Sequence, residues 1–377
     1  VILPGATLGM IGGGQLGRMF TVAARTMGYH VMVLDPGADS PAGRMASEHL
    51  RAAYTDEAAL DRLARECAAV TTEFENVPAG SLRRLEASLP VRPSSHALEF
   101  TQDRIREKNF IRQSGLATAD FEIIRTADDL APAFESLTPP LILKRAAFGY
   151  DGKGQAEVEN IGALRKAFGS LDNVPCVLER KADLQLEFSI VLARSSAGKT
   201  RYYPAAENVH CDGILSMSIV PARLEANLAA QARRMSVALA DSLDYCGIIA
   251  VEFFVTSDGQ LLVNEIAPRP HNSGHYTIDA CVTSQFEQQV RMLCGLPFGD
   301  VRLLSPVVMV NLLGDLWTNG PPDWRRVFKR AGAKLHLYGK REARPGRKMG
   351  HLCCLHEDVD VALKMARAVF AELGAVS

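Results

Sequence analysis

The sequence predicts an α/β unit followed by an α+β unit and a small C-terminal unit. Three observations predict this. Over residues 7–74, apolar strand-like runs alternate with helix-period segments, the pattern of a doubly wound parallel sheet covered on both faces. Beyond residue 120, strand-like runs follow one another across turns, which implies much antiparallel sheet. Proline and glycine break the chain near Pro93, at Leu296-Pro297-Phe298-Gly299 and at Ser305-Pro306. The expected divisions are 1–99, 100–299 and 300–377, and 377 residues suffice for about two to three domains.

In chain order, Thr7–Ile11 reads as a strand, Gln15–Met27 as a helix and His30–Leu34 as a second strand. Ala58–Cys67 is helical and Ala68–Phe74 is a strand; a polar helix then spans Phe100–Gln113. Strands are expected at Phe121–Ile124, Leu141–Lys144, Cys176–Glu179 and Phe188–Leu192. Ala226–Ser242 and Gln285–Leu293 carry the helical apolar period. The tail adds strands at Val307–Leu312 and Leu335–Leu337, a basic loop, and a helix over Val359–Leu373.

Composition narrows the function classes. With 47% hydrophobic and 23% charged residues and a net charge of −1, nothing favours nucleic acid or membrane as a partner. No apolar run reaches the length of a membrane span, and Val1-Ile2-Leu3-Pro4-Gly5 lacks the basic and apolar regions of a signal peptide. The eight cysteines include no Cys-x-x-Cys pair, as expected for reduced thiols in a cytoplasmic protein. His351-Leu352-Cys353-Cys354-Leu355-His356 has adjacent cysteines rather than zinc-ligand spacing.

The most informative feature is a hairpin. Val251–Val255 and Leu261–Ile266 flank Asp258-Gly259, a two-residue turn signal. Folding about that turn pairs Val255 with Leu262 and Glu252 with Glu265, with Phe254 and Val263 on the same face. Opposed carboxylates repel unless a cation lies between them, and hard oxygen ligands suit magnesium held with a nucleotide. Two solvent-facing acids are the alternative. The polar run Ala267-Pro268-Arg269-Pro270-His271-Asn272-Ser273-Gly274-His275 directly afterwards favours a site.

Four other motifs carry weaker signals. Gly12-Gly13-Gly14-Gln15-Leu16-Gly17, with Asp35 after it, matches a dinucleotide turn, though many tight βα turns bind nothing. Glu73 or Glu75 at the end of a buried strand either holds a polar substrate or lies in a solvated loop. In Phe148-Gly149-Tyr150-Asp151-Gly152-Lys153-Gly154-Gln155, flexible amides and a lysine can close over phosphate; a mobile hairpin turn is the alternative, weakened by Lys144, which ends an apolar run and needs a partner. Arg344-Pro345-Gly346-Arg347-Lys348-Met349-Gly350-His351, with Lys340 and Arg341, forms a cationic loop suited to a phosphate or simply to solvent.

Taken together, these motifs resemble the ATP-grasp superfamily and, within it, the bacterial family that carboxylates aminoimidazole ribonucleotide in purine synthesis. The match runs over nearly the whole chain and includes Glu207-Asn208-Val209-His210-Cys211-Asp212-Gly213-Ile214-Leu215. The resemblance implies an ATP-grasp fold with an N-terminal pre-ATP-grasp domain and a small C-terminal domain. ATP and Mg2+ are the implied cofactors, with bicarbonate as cosubstrate and carboxyphosphate as intermediate. It implies that Arg104 and Lys144 contact ATP phosphates beneath the loop Gly149, Tyr150, Asp151, Gly152, Lys153, Gly154 and Gln155. Glu179, Arg180, Lys181 and Ala182 would hold adenine, Glu187 the ribose, and His210 the nucleotide. Glu252 and Glu265 would hold magnesium beside Asn264. Tyr150, Asp151, Arg269, His271, Asn272 and Lys348 would surround the reacting groups, with His271 or Asp151 moving the proton. The ribonucleotide would fall to Gln15, Glu73, Lys340, Arg347 and Lys348, leaving the glycine turn without a nicotinamide. The family implies a homodimer, and a separate mutase that uses the product, because no mutase is fused before Ser377. Competing readings are a formate-dependent transformylase of the same superfamily, a nicotinamide-dependent oxidoreductase, and a silent nucleotide-binding regulator.

Overall fold

Residues 1–147 and 154–374 are described by the computed structural model, and they form three sheets. The first comprises β1 (Thr7–Ile11), β2 (His30–Leu34), β3 (Glu48–Leu50) and β4 (Ala69–Thr72), all parallel, in the order β3-β2-β1-β4. β1 and β2 are short runs rich in Val, Ile, Leu and Met, and with β4 they are buried on both faces, as parallel strands under helices must be. The three-residue β3 is too short and polar (Glu-His-Leu) to give a strand signal, so the sequence does not reveal it.

The second sheet is small and antiparallel. It holds β5 (Phe121–Ile124), β6 (Leu141–Arg145), β7 (Gln155–Val158) and β8 (Cys176–Arg180) in the order β5-β8-β6-β7. The third is the frame of the molecule. It runs through β9 (Leu184–Arg194), β10 (Thr200–Tyr202), β11 (Ala206–Cys211), β12 (Ile214–Val220), β13 (Gly247–Thr256), β14 (Leu261–Ala267), β15 (Val307–Leu313), β16 (Ala333–Leu337) and β17 (Lys348–Leu355). The order is β14-β13-β9-β11-β12-β15-β17-β16, with β10 on β9. The strands after residue 300 therefore continue the sheet of the central region through β12 and β15.

The helix Ala226–Ser242 covers one face of this frame. Its buried stripe, Ala232, Met235, Leu239 and Ala240, packs on Ile190, Leu192, Ile249 and Val251. The alternating inward residues of β9 and β13 supply the matching surface. No helix among the described residues is long and apolar enough to cross a membrane.

Three local expectations are corrected. The helix foreseen over Phe100–Gln113 is two helices, Ser95–Thr101 and Arg104–Gln113. Asp103 stops the first and caps the second by accepting from the Arg106 amide at 3.0 Å, while the Gln102 side chain turns away to the Glu75 and Val77 carbonyls. In the hairpin, Val255 faces Leu261, not Leu262, because the loop holds three residues and Gly259 takes φ +82°. The ladder slips back by one between Glu252 and Phe253, so Glu252 does face Glu265. Val263 consequently points into the core and does not share a face with Phe254. Finally, Lys348 to His351 are not loop: they lie in β17, and His351 is fully buried.

Candidate active site

A cavity of about 740 Å³ opens where the three sheets meet. Among the described residues, it is lined by every predicted site residue except Lys340 and Arg347. Those two sit behind Lys348: Lys340 Nζ donates to the Lys348 carbonyl at 2.7 Å, and Arg347 Nη1 to the Glu342 carbonyl at 2.9 Å. The predicted positions 149–153, with Tyr150, Asp151 and Lys153, fall outside the described residues.

The hairpin builds one wall. The slip in the ladder is a β-bulge, and it turns two consecutive residues, Asn264 and Glu265, toward the cavity opposite Glu252. Glu252 Oε1 lies 3.0 Å from His271 Nε2. Burial alone would raise the Glu252 carboxyl, but the His271 hydrogen bond, with His210 and Lys348 nearby, outweighs it and holds the group at about 2. Glu265 is held by Arg104, with Nη2 to Oε2 at 3.4 Å. The Asn264 side-chain oxygen and both polar atoms of the Asn272 amide are buried without a hydrogen-bond partner among the described residues. Buried polar atoms are rarely left so in a folded chain, and here they face a cavity. Two carboxylates and an unpartnered amide oxygen form a hard-oxygen set that fits Mg2+, which takes one or two carboxylates plus substrate phosphates.

A second wall is cationic. Lys144 Nζ reaches Glu179 Oε2 at 2.7 Å, and the wholly buried Lys108 reaches the same oxygen at 3.5 Å. Burial pushes the Glu179 carboxyl up, but Lys108, Lys144 and Arg104 outweigh that and hold it at about 2. Glu107 lies beside them, its carboxylate accepting from the Ile266 amide at 2.5 Å. The sequence reading missed Lys108 and Glu107. Their signal was the helix period: 104, 107, 108 and 111 share one face, and three of the four are charged. His210 Nδ1 and Glu187 Oε2 pair at 2.6 Å on the third side. Burial would lower the His210 ring, but Glu187 and the other carboxylates raise it above its ordinary value.

The loop from Arg269 to His275 is clamped by a residue also missed from sequence. Gln285, fully buried at the start of the helix Gln285–Leu293, accepts from the His271 amide at 3.0 Å. Its Nε2 lies 2.8 Å from the His271 carbonyl and 3.1 Å from His275 Nδ1. Gly274 is required here, because a Cβ would meet the Gln285 amide oxygen at 2.5 Å. His271 Nδ1 accepts from the Ser273 amide at 3.3 Å, so the ring's hydrogen lies on Nε2, toward Glu252.

The glycine turn differs from its expected use. The Glu73 carboxylate accepts from the Gly14 and Leu16 amides, the second at 3.1 Å, and so fills the anion position at the helix start itself. A Cβ on Gly12 would meet that of Glu73 at 2.6 Å. Asp35 is likewise engaged, accepting from the Gly13 amide at 2.9 Å and the Tyr54 hydroxyl at 2.7 Å. The glycines admit the chain's own acids, which removes the basis for a dinucleotide reading.

Comparison with known proteins fits this geometry. Residues 109–286 match the ATP-grasp domain family, 5–102 the ribonucleotide synthetase preATP-grasp domain, and 307–365 the phosphoribosylaminoimidazole carboxylase C-terminal domain. The fold and cavity are thus those of an ATP-grasp ligase. The chain is 44% identical over 360 residues to N5-carboxyaminoimidazole ribonucleotide synthase of Bacillus subtilis, covering 96% of this chain and 94% of that one. A crystal structure of the Staphylococcus aureus N5-carboxyaminoimidazole synthetase complexed with ADP matches with TM-score 0.92 and 38% identity, over 98% of each chain. The Aspergillus clavatus N5-carboxyaminoimidazole synthase, solved with ADP and 5-aminoimidazole ribonucleotide, matches with TM-score 0.91 and 28% identity, over 98% of this chain and 99% of that one. The chain belongs to the N5-carboxyaminoimidazole ribonucleotide synthase family.

Proposed function

We propose that this chain joins bicarbonate to the amine of 5-aminoimidazole ribonucleotide with ATP, giving N5-carboxyaminoimidazole ribonucleotide, ADP and phosphate. The observation that carries the reading is the single cavity in which the Glu252/Glu265 pair, the Lys144 wall and the Arg269–His275 loop converge. A bicarbonate oxygen attacks the γ-phosphorus as ADP leaves. The carboxyphosphate formed loses phosphate, and its carbon is taken by the ribonucleotide amine, which gives up one proton.

The residues divide this work. Arg104 and Lys144 neutralise the phosphates, while Arg269 offers a planar fork to the bicarbonate. Glu252, Glu265 and Asn264 are the groups that would hold Mg2+, which when bound neutralises charge on the transferring phosphoryl group. His271 holds Glu252 in place through Nε2 while its Nδ1 is taken up by Ser273; we assign proton acceptance to Asp151. Lys348 and Gln15 face the ribonucleotide, with Glu73 orienting the turn beneath it. Arg180, Lys181 and Ala182 border the adenine, and the loop over residues 149–155 covers the phosphates. Lys340 and Arg347 act behind Lys348. The enzyme works as a cytoplasmic homodimer, its product passing to a separate mutase; sedimentation giving only monomer rejects the dimer.

The test is magnesium-dependent ADP release with bicarbonate, with and without the ribonucleotide, and detection of the carboxylated product. Release that depends on bicarbonate and rises with the ribonucleotide is expected. Release driven only by glycinamide ribonucleotide and formate would move the chain to the transformylase reaction.

A further inference from the structure

The strand β4 ends in Glu73-Phe74-Glu75-Asn76, and its two acids part company. Glu73 turns into the glycine turn, as described. Glu75 turns across the cavity wall to Arg269, with Oε2 at 2.6 Å from Nε and Oε1 at 3.4 Å from Nη2. Two carboxylate oxygens thus face two nitrogens of one guanidinium, the paired geometry that this planar group prefers. The Glu75 backbone is fixed beneath by Gln102, whose Nε2 donates to the Glu75 carbonyl at 2.6 Å and the Val77 carbonyl at 2.7 Å. The pair remains within reach of solutes: the two side chains keep 20% and 25% of their surface.

Bicarbonate is also a planar oxyanion, with the same O–C–O fork as a carboxylate. The face of Arg269 that would receive it already carries Glu75. The carboxylate comes from the N-terminal unit, on the segment that borders the ribonucleotide side, while the arginine belongs to the central body. Resting on the function proposed above, we infer that Glu75 is a positioning residue that occupies the bicarbonate fork of Arg269 until the ribonucleotide docks on residues 73–76. Docking moves Glu75 aside, and bicarbonate takes the vacated fork. The chain thereby avoids making a labile acyl phosphate before its acceptor is present. A ligand shifts such an equilibrium only by binding one arrangement better, and the ribonucleotide does so by contacting the segment that carries Glu75.

The test is Glu75→Gln, which keeps shape and one acceptor oxygen but removes the charge. ADP release is measured against bicarbonate with and without 5-aminoimidazole ribonucleotide. A partly exposed pair of this kind is worth about a threefold to fivefold change, so ribonucleotide-independent release should rise, and the bicarbonate KM fall, by about that factor. The stimulation by ribonucleotide should shrink correspondingly. A lesion that only damages packing would lower both rates, so a gain without ribonucleotide separates positioning from structure. Should the Gln variant fail to fold, Gln102→Met, which frees the Glu75 carbonyl, is expected to move the same ratio in the same direction. Parallel loss of both rates, or an unchanged ratio, overturns the inference. If the unaltered protein releases no ADP with bicarbonate and ribonucleotide, it is the proposed reaction that fails, and this inference with it.

Discussion

The glycine turn and the β13–β14 hairpin both set glutamates in the cavity wall, and they treat them in opposite ways. Glu73 is held by backbone amides, which cannot leave without unwinding the helix start. Glu252 and Glu265 are held by side chains, His271 and Arg104, which can turn aside when a ligand arrives. A carboxylate tied to main chain is part of the framework. One tied to a movable side chain is a reserved ligand position. Burial alone does not tell the two apart; the identity of the partner does.

Glu265→Gln breaks the hairpin side of this contrast most directly. With the hard oxygen pair halved, kcat for ADP release should fall about 10²–10³-fold, the scale of losing one aligned electrostatic group. Stability should stay within about 1 kcal/mol by urea unfolding, since the site is half-exposed. A large loss of stability would place Glu265 in the framework class. Next in size, Gln285→Ala should lower kcat about 10–100-fold, because the catalytic loop loses the partner that orients it. Unchanged kcat would mean that the loop holds itself.

Glu73→Ala sharpens the other side. It strips the Gly14 and Leu16 amides of their acceptor and should cost about 2–3 kcal/mol in urea unfolding. A loss of activity with unchanged stability would reassign Glu73 to substrate contact alone. The smallest effect is in pH. Glu252 sits at about 2 rather than 4.5, so its stabilisation is present above 4.5 and is lost as pH falls toward 2. The margin of the unaltered protein over Glu252→Gln should shrink across that acid range. Burial raises Glu73 against the pull of its amides, so its contribution is full below 4.5 and fades as pH climbs through its raised value. The margin over Glu73→Gln should therefore be greatest in acid. Parallel pH curves for the two variants would erase the distinction.

Much of this was legible before the structure. Strand-helix alternation gave β1, β2 and β4, because apolar periodicity reports burial directly. The Glu252–Glu265 juxtaposition was legible for a partly fortuitous reason. The turn is one residue longer than its Asp-Gly signal suggests, and the bulge beside Glu252 restores the count. Bulges leave no mark in composition, so the paired orientation of Asn264 and Glu265 was invisible. Lys108, Glu107 and Gln285 were missed because polar residues on an inward helix face resemble a solvated face until their partners, remote in sequence, are known. The glycine turn suggested an acceptor at the helix start, but only the fold could show that the Glu73 carboxyl group fills that place.

The continuity of the largest sheet across residue 300 has a consequence for dividing the chain. Ending it there would remove β15, β16 and β17 and leave β12 with an open row of amides and carbonyls at Met217, Ser218, Ile219 and Val220. An apolar strand with an unpaired edge recruits other chains, so the shortened protein should aggregate rather than fold as a nucleotide-binding module. The C-terminal segment is, in that sense, the guard on an edge that the central region cannot shield by itself.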